Sequence, residues 1–189
     1  MERLFVAKIG DGMLPELMRI FGLVGWSGSG KTTLITGLVE DLVRRGISVS
    51  TMKRAHQEFD LDRTGKDSYL HRAAGAMEVM VTSTKRWALM HELQGRAELS
   101  IEEAAQRMTK VDLLLIEGST DHPLNKLEVH RPSIGKSLMA PSDPFIVAVA
   151  SDEPLSGVTV PVLDLNDHTS IANFVTLHCE LTSHSDSAA

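Results

Sequence analysis

Residues 20–33, IFGLVGWSGSGKTT, decide how the chain folds. Ile20–Val24 is an apolar run that reads as a buried strand. Directly after it Gly25, Gly28 and Gly30 alternate with hydroxyl residues and lead into Lys31. Glycines at this density leave a backbone that can turn its N–H groups inward around a ligand. Gly25, Gly30, Lys31 and Thr32 satisfy G-x-x-x-x-G-K-[ST], the phosphate-loop (P-loop) pattern. The context fits on both sides. Leu34, Ile35, Leu38, Val39, Leu42 and Val43 repeat at helical spacing, and Gly46 supplies the stop. The N–H groups of Ser27–Thr32 then converge at a helix N-terminus, whose partial positive charge stabilises phosphate. The expected nucleotide-binding residues are Gly25, Trp26, Ser27, Gly28, Ser29, Gly30, Lys31, Thr32 and Thr33. Lys31 should reach the β- and γ-phosphates as the catalytic cation, and the Thr32 hydroxyl should coordinate Mg²⁺.

Working outward, β-rich apolar runs alternate with helix-period segments, which predicts a parallel sheet covered by helices. Strands are expected at Ile47–Met52, Val111–Ile116, Lys126–His130, Phe145–Ala150 and Val160–Leu163. Helices are expected near 68–74, from a capping box at Ser100 and Glu103 to about Met108, and over 169–177. Ala76–Thr82 and Arg86–Glu92 read as two strands joined by a turn near Ser83-Thr84-Lys85. The fold class is therefore α/β, a P-loop NTPase-type, mostly parallel sheet flanked by helices, with an added β-hairpin. Residues 18–180 are read as a single nucleotide-binding domain. Residues 1–17 read as a weakly ordered extension and 181–189 as a loose tail. The run from Val111 ends on Glu117, and an acid there suits magnesium better than Asp112 at the strand's start.

Composition narrows the partners. The net charge of -6 argues against a duplex-binding surface, so no nucleic-acid partner is expected. The single cysteine, Cys179, excludes an intramolecular disulfide and fits a reducing compartment. The N-terminal segment is broken by Lys8, Asp11 and Glu16 and lacks the apolar centre of a signal peptide. Cytoplasmic residence without a membrane partner is the expectation.

HQEFDLDRTGKDS (56–68), YLHRAAG (69–75), RWALM (86–90), LLLIEG (113–118), LEVHR (127–131) and VAVASD (147–152) together carry a more specific signal than any one motif. With the P-loop, they resemble the molybdopterin-guanine dinucleotide biosynthesis protein B (MobB) family over about residues 19–178. The family often has K-H-x-H-H where this chain has Lys53-Arg54-Ala55-His56-Gln57, and E-G-F-K where it has Glu117-Gly118-Ser119-Thr120. The resemblance implies a GTP- and Mg²⁺-binding adapter with weak GTPase activity, acting in molybdenum cofactor biosynthesis. It also implies a homodimer, and as partners the molybdenum cofactor guanylyltransferase and molybdopterin or its guanine dinucleotide. A P-loop small-molecule kinase and a GTPase metallochaperone are the alternatives. A kinase wants several lid arginines, whereas 122–142 offers Arg131 with Lys126 and Lys136. A metallochaperone wants a Cys/His site, and His178, Cys179 and His184 have no metal-ligand spacing.

Asp60, Asp62 and Asp67 crowd the loop where many P-loop proteins place a nucleotide-sensing switch. Asp62 is the candidate for positioning water; a merely solvated loop, with Asp67 capping the next helix, is the equal alternative. Lys66, in the GKDS segment, is a further candidate contact for a phosphate of nucleotide or pterin. Asn125-Lys-Leu-Glu128 resembles a guanine-reading N-K-x-D signature but carries Glu for Asp and enters a strand, so it is taken as coincidence. Asp152, just beyond the strand at 145–150, is assigned to guanine, whose N1–H and amino group a carboxylate can accept together. Trp87 and its apolar neighbours suit a core or a subunit contact. A hairpin with apolar faces needs burial, and strand addition between subunits would supply it.

Overall fold

The computed structural model describes residues 18–55 and 59–182. The expected N-terminal extension, His56 of the divergent histidine motif and His184 lie outside them. The chain forms two compact units, one made of the segments before Ala55 and after Thr109, the other of residues 55–109.

In the first unit the strands are β1 (Arg19–Val24), β2 (Val49–Lys53), β5 (Leu113–Glu117), β6 (Lys126–His130), β7 (Ile146–Ser151) and β8 (Val162–Asp164). All pair in parallel, in the order β2-β5-β1-β6-β7-β8. Each expected strand is present, β6 at the expected bounds and the others within two residues of theirs. The strand feeding the glycine loop sits centrally. The chain leaves β1 toward β5 and β2 and returns on its other side at β6, the arrangement that opens a ligand crevice at the strands' C-terminal ends. Ser48 and Asp112 tie the entrances of β2 and β5: Asp112 Oδ2 accepts from Ser48 N at 2.8 Å and from its hydroxyl at 2.6 Å.

One face of the sheet carries Phe21, Leu23, Leu115, Leu127, Val129, Ala148 and Ala150 against α1 (Lys31–Arg44) and α4 (His168–His178). Leu34, Leu38 and Leu42 of α1 and Ile171 and Val175 of α4 are essentially inaccessible. Each such side chain stabilises the fold by about 1.5–3 kcal/mol relative to exposure. Gly37 lets the two helices close: a Cβ there would lie 2.1 Å from His168 Nδ1.

The other face of β6 is unusual. Lys126, Glu128 and His130 all point away from the apolar cluster, yet all are buried. Lys126 Nζ donates to Asp143 Oδ2 (2.9 Å), Thr120 O (3.2 Å) and His122 O (2.9 Å). The Glu128 carboxylate accepts from the N–H groups of Met139 (2.9 Å) and Ala140 (2.8 Å). The segments flanking β6 are thus fastened over its polar side by ion pairing and charge-assisted hydrogen bonds, not by a helix. Between β6 and β7 the pairing steps from Lys126–Ile146 to Leu127–Ala148, leaving Val147 as a bulge.

The second unit holds α2 (Asp67–Ala73), the hairpin β3 (Glu78–Thr82) and β4 (Trp87–His91), and α3 (Ile101–Gln106). The hairpin is a two-stranded antiparallel sheet of its own. The capping box is formed in both directions, Glu103 N to Ser100 Oγ at 3.1 Å and Ser100 N to Glu103 Oε2 at 2.9 Å. One local expectation is corrected: the N-cap of α2 is Lys66, in extended conformation and without a side-chain cap, while Asp67 is the first helical residue. There its carboxylate favours the helix dipole rather than closing the turn. On the hairpin Met80, Trp87 and Leu89 share one face, with 57%, 66% and 43% of their surface exposed. No helix among the described residues is long and apolar enough to cross a membrane.

Candidate functional site

The site grows from the turn that ends β1. Gly25 has φ 143°, and a Cβ there would sit 2.3 Å from Val129 O. Glycine is therefore required where the loop crosses β6. Ser29 N donates to Trp26 O at 3.2 Å and closes the turn. Gly30, at φ 99°, is the N-cap of α1 and offers no side chain to it. The first-turn N–H groups of α1 have no intrahelical acceptor and face outward, the configuration that receives an anion. Thr32 and Thr33 are exposed beside them.

Lys31 folds back across this loop. Its ammonium donates to Gly25 O at 2.7 Å and to Trp26 O at 3.0 Å. Burial lowers its pKa below the ordinary 10.5, with Glu117 opposing and Lys53 adding to the shift. A cation held on carbonyl dipoles in a half-dry setting is poised for a stronger counter-charge.

Glu117 stands at the C-terminal end of β5, beside Leu23 of β1 and Lys53 of β2. Its carboxylate is 15% exposed and 3.9 Å from Lys53 Nζ. Gly118 N donates to Leu23 O and Arg54 N to Glu117 O, at 3.1 and 3.0 Å, so the backbone around the acid is fixed from both sides. Asp112 is at the other end of the strand, engaged with Ser48.

Asp152 follows β7 and is paired with Arg131: Nη1 lies 2.5 Å from Oδ2. The same guanidinium donates through Nε to Ser29 O at 3.1 Å. Trp26 donates from Nε1 to Ser137 O at 2.8 Å, and Lys136 Nζ stands 5.4 Å from its ring centroid. The segment leaving β6 is thereby joined to the glycine loop at Ser29 and at Trp26. Sequence reasoning missed this role of Arg131, counting it only as a lone lid arginine. The signal lay in strand pairing: His130 sits opposite Ser151, which brings the next residue of each strand, Arg131 and Asp152, side by side.

Other expectations find their places. Lys126, counted as a lid cation, is instead a buried structural charge. Glu128 is engaged with the Met139 and Ala140 amides and Asn125 with His178, Nδ2 to Nε2 at 3.0 Å, so both ends of that NKLE stretch have structural partners. His178 also stacks on Phe174, and burial lowers its pKa. Among the described residues no group of three or more His, Cys, Asp or Glu could hold a metal ion. Asp62 and Lys66 belong to the second unit. There Asp62 is gripped by Arg72, with Nη2 at 2.7 Å and Nε at 3.3 Å, which holds its carboxyl below the usual range. Arg72 also binds Asp60 (2.7 Å) and Glu92 (2.9 Å), gathering the acidic loop onto α2 and tying it to the residue that follows β4. Lys66 is exposed at the start of α2.

Residues 20–152 match the family model for molybdopterin guanine dinucleotide synthesis protein B, MobB. The chain is 40% identical over 171 residues to the molybdopterin-guanine dinucleotide biosynthesis adapter protein of Escherichia coli strain K12, covering 88% of this chain and 94% of that one. It is 37% identical over 158 residues to the adapter protein of the same name from Haemophilus influenzae, covering 82% and 86%. Among solved structures, a molybdopterin-guanine biosynthesis protein B superposes with a TM-score of 0.66 at 25% identity, over 84% of this chain and 98% of that one. The MobB homolog from Bacillus stearothermophilus shares the fold, with a TM-score of 0.60 at 24% identity over 87% of this chain.

Proposed function

Since the chain belongs to the MobB family, we propose that it is an adapter in molybdopterin guanine dinucleotide biosynthesis, and that GTP with Mg²⁺ is what its glycine loop binds. The observation that carries the reading is Lys31, held by two loop carbonyls at an uncapped helix start, with Glu117 at the end of the adjoining strand. First-turn amides would receive the phosphates, and Lys31 would exchange its carbonyl partners for the β- and γ-phosphate oxygens. Thr32 and Glu117 would hold the magnesium, with phosphate oxygens completing its shell, since hard cations take oxygen ligands. That ion would neutralise charge on the phosphates. Asp152 would accept from guanine. As partners we propose a guanylyltransferase and molybdopterin or its guanine dinucleotide, with Lys66 a candidate contact, in the cytoplasm.

Hydrolysis is proposed to be slow. Asp62, the candidate for orienting water, is an ion-paired carboxylate with a lowered pKa and hence a weak base. The exposed apolar face of the hairpin supports a homodimer formed through that sheet. The kinase alternative loses Lys126 from its lid, and the metallochaperone alternative finds no side-chain cluster among the described residues. Calorimetric titration with GTP, GDP and ATP in Mg²⁺, followed by capture of the guanylyltransferase with and without GTP, tests the proposal. Equal affinity for ATP and GTP, or no capture in either state, would overturn the guanine and adapter parts respectively.

A further inference from the structure

Arg131 makes two contacts at the nucleotide end of the sheet, and they lie in different places. Nε holds the carbonyl of Ser29, inside the glycine loop; Nη1 holds Oδ2 of Asp152, beyond β7. The guanidinium also stands 3.5 Å from where a Cβ on Gly30 would be, so its plane lies against the residue that caps α1. Two buried oxygens beside it, Ser29 Oγ and Asp152 Oδ1, find no partner among the described residues. Buried acceptors without partners are uncommon and call for an explanation. For Asp152 the arrangement divides the carboxylate: Oδ2 is anchored, and Oδ1 is left to accept.

We propose that Arg131 is a positioning residue that couples base recognition to phosphate binding. This rests on the reading of the loop as a GTP site with Asp152 as its guanine acceptor. The planar guanidinium spans both acceptors at fixed geometry, which a lysine ammonium, a point charge on a flexible stem, cannot reproduce. Orienting the Ser29 carbonyl outward turns the neighbouring amides toward the phosphates. Holding Oδ2 of Asp152 fixes the carboxylate plane and leaves Oδ1 as the oxygen that would accept from guanine. A ligand that engages Asp152 therefore also steadies Ser29, and the coupling is reciprocal, as linkage demands.

The test measures GTP, ATP and inorganic tripolyphosphate affinities, with Mg²⁺, for the full chain and for Arg131→Gln, Arg131→Lys and Lys31→Ala. Tripolyphosphate reports the glycine loop without a base, and its binding also certifies that the Arg131 variants are folded, while a circular dichroism melt certifies Lys31→Ala. The expected result for Arg131→Gln is about a tenfold or greater loss for GTP, the scale of one charge-assisted contact. Tripolyphosphate should lose clearly less, and the preference for GTP over ATP should shrink. Arg131→Lys should keep most tripolyphosphate affinity yet lose the same selectivity. Wild-type GTP/ATP selectivity in both Arg131 variants would overturn the coupling, as would equal losses for GTP and tripolyphosphate. If Lys31→Ala bound GTP like the wild type, it is the glycine-loop reading that would fall, a result separable from silence at Arg131 alone.

Discussion

Replacing Lys31 by alanine removes the full positive charge held at the mouth of the glycine loop, and its consequence differs between the free and the liganded protein. In the free protein the ammonium, held by two carbonyls at 2.7 and 3.0 Å, is partly desolvated and stands near Lys53, and Glu117 opposes these effects only in part, so its pKa lies below 10.5. A lysine whose folded pKa is lowered gives up its proton more readily than the unfolded chain does. Keeping it charged is therefore a cost to the fold, present near neutral pH and relieved as pH rises through the lowered value toward 10.5. Lys31→Ala should accordingly leave the melting temperature of the free protein unchanged or slightly higher. With GTP bound the balance reverses. A charge-assisted contact to phosphate contributes about 1.5–3 kcal/mol, which is roughly a 10- to 150-fold loss of affinity on truncation. The wild type should also bind GTP less tightly as pH climbs from neutrality toward 10.5, because the deprotonated amine has no charge to offer. Calorimetric titration with GTP and Mg²⁺ at several pH values, beside circular dichroism melts, reads both effects. An alanine variant that melts like the wild type and binds GTP within about twofold of it, less than ~0.5 kcal/mol, would refute the reasoning.

Asp152→Asn should weaken GTP by roughly a hundredfold, the scale of a buried charge-assisted pair, and shift preference toward xanthosine triphosphate; unchanged selectivity against ATP would remove Asp152 as the reader. In light scattering the protein should be a dimer at micromolar concentration and become monomeric on combining Met80→Lys with Trp87→Ser. A wild type of monomeric mass would end the proposal that the hairpin pairs subunits. Gly25→Ala should cost about 2–4 kcal/mol, since its methyl would lie 2.3 Å from a backbone oxygen at φ 143°; an unshifted urea midpoint would show that the loop yields freely. Burial pushes the Cys179 thiol up to about 12, so a thiol reagent at neutral pH should label it only after denaturation.

Much of the architecture was legible because its determinants are local. Period and glycine punctuation located α1, continuous apolar runs located β5 and β7, and Ser100 with Glu103 announced its own cap. Lys66 against Asp67 shows the limit of local reading: either could begin α2, and side-chain type does not fix which φ/ψ the backbone takes at that boundary. What sequence could not supply was anything made by pairing across distance. Arg131 and Asp152 are neighbours only because β6 and β7 are. Lys126 looked like a free cation because nothing in its surroundings along the chain reveals Asp143 folding back over it. The candidate site divides the same way: Gly25–Thr33 and Glu117 were readable from motif and strand end, and the guanidinium that ties the loop to Asp152 was not.

The charges buried along β6 have a consequence beyond the contacts they make. Lys126, Glu128 and His130 alternate with Leu127 and Val129, and Val147 already bulges from the neighbouring strand. A slip of β6 by one residue would restore a smooth ladder there, but it would turn the lysine and the glutamate into the apolar cluster that Leu127 and Val129 now enter and strip both of their partners. Uncompensated charge in such a place costs several kcal/mol, more than the bulge. The stripe acts as a key that admits one alignment of the sheet's centre. Apolar residues in its place could leave the sheet as stable while letting it settle one step out of phase, with Arg131 carried away from Ser29.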